Sequence, residues 1–231
     1  MAFQHSAFVA GAFEHPTRYA PDKSIAQLHA ECAHGALADA GLSFDDVDGY
    51  FCAADAPGGI PALMADYLNL RNLRHVDGTE AGGCSYIAHV GHAASAIAQG
   101  RCSVALITLA GKPRSSGQAT GTEIRQIPPE RPAAAFEQPY AWTVAGMYGL
   151  LARRHMHEYG TTMEQLAWIK VAASHHAQHN PHALLRQVYT TADVLASPMV
   201  ADPLRRLDCC VVTDGGGARV VVDPSVSASL S

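Results

Sequence analysis

The stretch GCSYIAHVGHAASAIAQGRCSVALITLA, residues 83–110, decides the fold. Its last eight residues, SVALITLA (103–110), are apolar on both faces, as a central parallel strand should be. Residues 84–100 read as an alanine-rich helix that closes on Gly100. Ala88, Gly91, Ala94 and Ala98 share one side of it, a spacing that predicts close packing against another helix and a buried element. Working back, RHVD (74–77) reads as a strand, residues 60–68 as a short helix, and VDGYFCA (47–53) as another strand. Further back lies a helix that starts at Ser24, with Gln27 completing a capping box, and ends at Gly41. Ile25, Leu28, Cys32 and Ala36 form its apolar face. AFVAGA (7–12) opens the series as a buried strand. The alternation of strand and helix predicts an α/β fold, a parallel sheet with helices on its faces.

Forward of residue 110 the pattern changes. Residues 111–140 hold Pro113, Pro128, Pro129, Pro132 and Pro139 among Gly and Ser, which predicts a long irregular covering loop or insertion. A helix with Val144, Met147, Leu151 and His155 on one stripe follows. A second helix begins at a Thr161-Thr162 cap, carries Leu166, Ile169, Ala173 and Ala177 on one face, and stops before Asn180-Pro181. ARVVVD (218–223) supplies one more strand. The chain shows no internal repeat and no low-complexity segment.

Composition narrows the function classes. The chain has 231 residues, 48% of them hydrophobic and 16% charged, enough for a sizeable core and unlike a disordered segment. The formal charge is −5 with no long basic run, which argues against nucleic acid as a partner. No apolar run is long enough to span a bilayer, and the N-terminus lacks the charged-then-apolar pattern of a secretory signal. The expectation is a soluble cytoplasmic protein with no membrane partner. Its six cysteines are scattered and are expected as reduced thiols, most of them small core residues.

Cys84 stands apart because it follows Gly82-Gly83 and opens a helix. The first turn of a helix presents unpaired backbone N–H groups and the positive end of the dipole, and both favour a thiolate. Two glycines would let a substrate approach the sulfur. Cys84 therefore reads as a nucleophile, a metal ligand or a buried filler. Thirteen histidines invite a metal reading, but His175, His176, His179 and His182 have no acidic partner within their pattern and read as a solvated helix end. No metal site is expected. His89 and His92, one turn apart, read as packing or hydrogen-bonding residues. Thr213-Asp214-Gly215-Gly216-Gly217 is a glycine-rich turn before a strand and lacks the lysine of a phosphate loop. Arg205 and Arg206 are either a phosphate-binding pair or a solvated one. Met156 reads by itself as a core methionine on an amphipathic helix.

The order of elements, with a cysteine entering a buried helix after the third strand, resembles the N-terminal half of the thiolase superfamily, nearest to the sterol-carrier-protein-type (lipid-transfer-type) thiolases and acetyl-CoA acetyltransferases. GAFEHPTR (11–18), ALADAGLSFDDVDGYF (36–51), the segment around Cys84, RHMHEYGTTMEQLAWIKVAASHHAQHNPHA (154–183) and LDCCVVTDGGGARVVV (207–222) carry the resemblance over nearly the whole chain. It implies a thiolase-like layered fold, one βαβαβαββ half with an inserted loop and helical region at about 111–200, the whole of 1–231 being one N-terminal thiolase-type domain. It also implies an acyl-CoA C-acyltransferase of lipid metabolism, with Cys84 taking the acyl group from coenzyme A as a thioester. Coenzyme A enters as substrate, not as a resident cofactor. Arg205, Arg206, Met156, Gly215 and Gly216 fall where CoA and the acyl chain would bind.

Two departures shape the expectation. The Gly-His-Pro histidine and the Cys-x-Gly cysteine, which the family places in its second half, do not occur in this sequence. The family commonly has an Asn and Ser-Gly near its nucleophile; here the run is Gly82-Gly83-Cys84-Ser85-Tyr86, and the bulk of Tyr86 narrows the expected acyl pocket. The resemblance thus implies half an active site, completed by a further segment of the same protein or by a C-terminal-half chain, or a non-catalytic scaffold subunit of a heteromeric thiolase or aldolase complex. Some relatives of this type pair with a small OB-fold, zinc-ribbon protein. A half with its apolar face uncovered is expected to form homo-oligomers.

Overall fold

The computed structural model describes residues 6–53, 60–120, 129–140 and 143–230. Within them the chain makes β1 (Phe8–Glu14), α1 (Ile25–Asp39), β2 (Gly49–Phe51), α2 (Pro61–Tyr67), β3 (His75–Asp77), α3 (Ser85–Ala98) and β4 (Val104–Gly111). Then come α4 (Pro132–Glu137), α5 (Val144–Tyr159), α6 (Met163–Ala177), α7 (Thr191–Ala196), β5 (Met199–Ala201) and β6 (Leu204–Arg205). The chain closes with β7 (Gly215–Val222) and α8 (Pro224–Ser227). Two compact units result: Met1–Ser116 with Thr213–Ser231, and Gly117–Val212.

The first unit is built on a sheet of strand order β1-β7-β4-β2-β3. β2 is parallel to both β3 and β4, while β7 is antiparallel to both β1 and β4. The all-parallel sheet expected from the element order is thus corrected to a mixed one. ARVVVD has the composition of a buried strand, but composition does not encode direction. Direction follows from the end of the sheet at which the chain re-enters, and an antiparallel neighbour needs no crossover helix.

The alternation of side chains along each strand divides the core. On one face Tyr50, Leu106, Val220 and Val222 meet Cys32, Ala33, Ala36 and Leu37 of α1. On the other Phe51, Ala105, Ile107 and Val221 meet Ala93, Ala96 and Ile97 of α3. Each larger apolar side chain so buried contributes about 1.5–3 kcal/mol against the cost of ordering the chain. Small residues let the layers approach: a Cβ at Gly11 would lie 2.2 Å from the Ala36 carbonyl oxygen.

Local signals resolve in detail. Ser24 caps α1 by accepting from Gln27 N, but the Gln27 side chain donates to Glu31 and does not return to the cap, so only half of the expected capping box forms. The small-residue stripe of α3 does not face the core. Gly91 is exposed and a Cβ there would meet nothing within 4 Å, while Ser85, His89, Ala93, Ala96 and Ile97 are buried. Sheet packing selected the face with more area to bury.

The second unit is helical with a small hairpin, β5 against β6. Part of the expected irregular stretch is regular: Pro132 opens α4, a first-turn position where its missing N–H costs no hydrogen bond. Pro128 lies outside the described residues. α6 starts where expected, with a full Thr162–Gln165 capping box. Its buried face is Ala167, Val171 and Ser174, not the expected stripe, and Ile169 is 70% exposed. α5 buries only Gly149, where a Cβ would fall 2.9 Å from the Asp202 carbonyl oxygen, so the helix lies directly on the hairpin.

Candidate active site around Cys84

β3 ends at Asp77, and the chain must turn back to begin α3. It does so through a loop and one 3-10 turn, Gly82–Cys84, in which Gly82 takes φ +63. Cys84 then stands at the N-cap of α3, exposed, with its Sγ 2.8 Å from the Ala81 carbonyl oxygen that accepts from it. A Cβ at Gly82 or Gly83 would meet nothing within 4 Å, so the approach to this turn is open. Cys84 makes no side-chain cap bond to the first turn of α3.

Ser85 is fully buried beside the thiol. Its Oγ accepts from Ala81 N at 2.9 Å and donates to the Gly82 carbonyl at 2.6 Å. Asp77 Oδ1 accepts from the Thr79 N–H and hydroxyl, both at 2.7 Å, and Asp77 Oδ2 lies 2.7 Å from His92 Nδ1. Against the upward push of burial, the bonds from Thr79 and then His92 hold the Asp77 carboxyl below its usual range. His89 is fully buried, and its Nε2 lies 3.0 Å from the Thr79 carbonyl oxygen. The packing and hydrogen-bonding roles read for His89 and His92 are therefore what the structure shows. Tyr86, half-buried, packs into the core and lines a groove of about 500 Å³ over the sheet with Gly83, Ile87, Leu109, Gly217 and Arg219.

The other thiols differ. Burial first, then Glu31, pushes the Cys32 thiol up to about 12, and burial with Asp48 nearby pushes Cys102 up to about 11. Burial also raises Cys209, while Cys210 is exposed. Among the described residues no cluster of His, Cys, Asp and Glu could hold a metal ion.

The remaining sequence-predicted residues separate. Gly215 and Gly216 belong to the same unit as Cys84. A Cβ at Gly216 would lie 2.3 Å from the Leu109 carbonyl oxygen, so Gly216 serves the β4–β7 approach, while Gly215 adopts φ +143 with the Thr17 carbonyl oxygen 3.1 Å from where a Cβ would stand. Asp214 beside them is buried, accepting from Ala20 N and Ser115 N, and these bonds hold it below its usual range against burial. Met156, Arg205 and Arg206 belong to the second unit. Met156 is half-buried on α5. Arg205 donates through Nη1 to the Ser197 carbonyl at 2.9 Å, tying the hairpin to the end of α7, whereas Arg206 is exposed. Ser85, Asp77 and Thr79 had no place in the sequence reading. The Asp-x-Thr spacing is the signal that could have revealed the turn, since an Asp side chain bonds its own backbone two residues on.

A scan of protein-family models finds no match. Acetyl-CoA acetyltransferase of Methanothermobacter thermautotrophicus is 31% identical over 216 residues, 87% of this chain and 52% of the relative. A steroid side-chain-cleaving aldolase of Thermomonospora curvata is 35% identical over 218 residues, 90% of this chain and 54% of the relative. Among solved structures, an Ltp2-ChsH2(DUF35) aldolase superposes with a TM-score of 0.87 at 29% identity, over 100% of this chain and 59% of that one. The chain spans about half the length of the curated relatives it matches. By sequence and by fold the chain is similar to proteins of the thiolase superfamily. Over 75 residues it is also 35% identical to human sterol carrier protein 2, 32% of this chain and 14% of that protein.

Proposed function

We propose that the chain is the acyl-accepting part of a thiolase-type, acyl-CoA-processing acyltransferase, with Cys84 as nucleophile. The observation that carries the reading is an exposed thiol at the start of α3, approached over two glycines, in a chain related to an acetyl-CoA acetyltransferase. The sulfur attacks the thioester carbonyl carbon, and a new S–C bond forms. The bond from that carbon to the CoA sulfur breaks, and CoA leaves with the proton given up by Cys84. A second acyl-CoA, as a carbanion, then takes the acyl group. In the reverse direction, CoA cleaves a β-ketoacyl chain.

The groups for that second step would lie outside these 231 residues, in which no Gly-His-Pro or Cys-x-Gly triplet occurs. We read 1–231 as one N-terminal thiolase-type domain, with a covering loop and helical insertion at about 111–200. Met156, Arg205, Arg206, Gly215 and Gly216 are proposed to contribute to the CoA and acyl pocket. Partners are acyl-CoA, a second copy, and either a C-terminal-half chain or an OB-fold zinc-ribbon subunit; no resident cofactor is proposed. No helix among the described residues is long and apolar enough to cross a membrane, and we place the protein in the cytoplasm.

The test is intact mass after incubation with acetyl-CoA. A slow adduct of one acetyl group, absent in Cys84→Ala, with carbon–carbon bond formation near background, is the expected result. Full turnover by the chain alone would show that other residues carry the chemistry. A second reading, a scaffold or aldolase-type subunit that does not use the thiol, is favoured by the aldolase and lyase relatives. Absence of any adduct across pH would select it.

A further inference from the structure

We infer that His89 and His92 are positioning residues for Cys84. Together they clamp the Asp77–Gly83 segment to α3, so that the sulfur is presented at the helix start in one orientation. Both histidines lie on α3, yet both of their polar contacts go backward along the chain to the loop that delivers the cysteine. A carbonyl oxygen only accepts, so His89 Nε2 carries the hydrogen and donates to the Thr79 carbonyl at 3.0 Å. His92 Nδ1, 2.7 Å from Asp77 Oδ2, holds the carboxylate whose other oxygen caps the turn at Thr79. The two clamps therefore meet on one residue, Thr79, from its carbonyl side and from its N–H and hydroxyl side. Ser85 closes the far end of the same loop through Ala81 and Gly82.

The placement of His89 is costly for a purely packing residue. It has no exposed surface, it sits among the rings of Phe51, Tyr86 and His92, and its Nδ1 has no hydrogen-bond partner among the described residues. A buried polar atom without a partner opposes folding, and a leucine at this position would avoid that cost. What the histidine supplies in return is the donor to Thr79. The loop itself needs such a restraint: Gly78, Gly82 and Gly83 lie within it, and glycine is the least restricted residue of an unfolded or loose segment. A nucleophile must be held near its productive geometry, and small displacements are expensive in rate.

The inference rests on Cys84 as acyl acceptor, but its test does not need acyl transfer. Iodoacetamide labelling of the folded full chain, read by peptide mass, compares Cys84 with Cys210, the other exposed thiol, in the same sample. His89→Met keeps bulk and removes the donor; His89→Gln keeps a donor near Nε2. His92→Leu and His92→Asn form the matching pair at a half-exposed position, where folding is not at risk. The Cys84 rate relative to Cys210 is expected to fall about tenfold in His89→Met and His92→Leu, and to recover in His89→Gln and His92→Asn. Cys32 and Cys102 should stay unlabelled throughout. An unchanged ratio in both donor-less variants overturns the inference. So does labelling of Cys32 and Cys102 alongside a fall, which would assign the histidines to general folding. A wild-type chain that shows the clamp ratios yet forms no acetyl adduct would count against the proposed function alone.

Discussion

Cys84 and Cys102 are the same residue type eighteen positions apart, and the fold gives them opposite chemical character. Cys102 lies in the core under α3, and Cys32 lies on the buried face of α1. Iodoacetamide at neutral pH should label Cys84 early and leave Cys32 and Cys102 intact until denaturant is added. Equal labelling of Cys84 and Cys102 below neutrality would contradict the structure. His29 on α1 makes a second prediction at this scale. It is fully buried and hydrogen-bonded through Nδ1 to Thr108 Oγ1 at 2.9 Å, which in turn is 2.8 Å from Tyr50 Oη. Burial pushes the His29 pKa down to about 4. An imidazole in the unfolded chain titrates near about 6.5, so the unfolded state binds the proton first. The contribution is complete above the unfolded value and is lost as pH falls through that window toward the folded one, about 3 kcal/mol in all. Urea midpoints at several pH values measure it, and His29→Gln, which carries no titrating group, should show a shallower acid-side decline than wild type.

Two glycines separate the demands of a strand from those of a helix. Gly216 sits where β7 passes β4, and a Cβ there would collide with backbone that cannot move aside. Gly216→Ala should destabilise the chain by about 1–3 kcal/mol through overpacking. Gly91 lies inside α3 with open space before it. Gly91→Ala should stabilise the isolated chain by about 0.5–1 kcal/mol, because alanine loses less backbone freedom in a helix. Chemical denaturation of both variants checks the pair, and the opposite ordering would mean that the β4–β7 register is wrong.

Taken as a whole, the chain leaves much apolar surface in water. In the first unit Val9, Val76, Ile87 and Leu109 are between 40% and 65% exposed. The second unit is thinner still, with Leu151, Trp168 and Ile169 all above 60% exposed. Extended apolar patches on soluble chains mark interfaces, and self-association is the usual way of covering them. Sedimentation velocity at micromolar concentrations should show concentration-dependent association, and Ile87→Lys should weaken it. A monodisperse monomer with low binding of a hydrophobic dye would overturn this expectation.

The order of strands and helices, the N-caps of α1 and α6, and the exceptional position of Cys84 could all be read from residues alone. These features depend on neighbours within about a turn of one another, which periodicity and capping chemistry report directly. Even there the reading failed where two faces competed: α3 and α6 each bury a different stripe from the one their spacing suggested, because burial is settled by the partner surface. The direction of β7, its place between β1 and β4, and the convergence of His89, His92 and Asp77 on one loop were decided by tertiary structure. Each depends on contacts between segments that the chain brings together only on folding, and no local pattern encodes which atoms will meet.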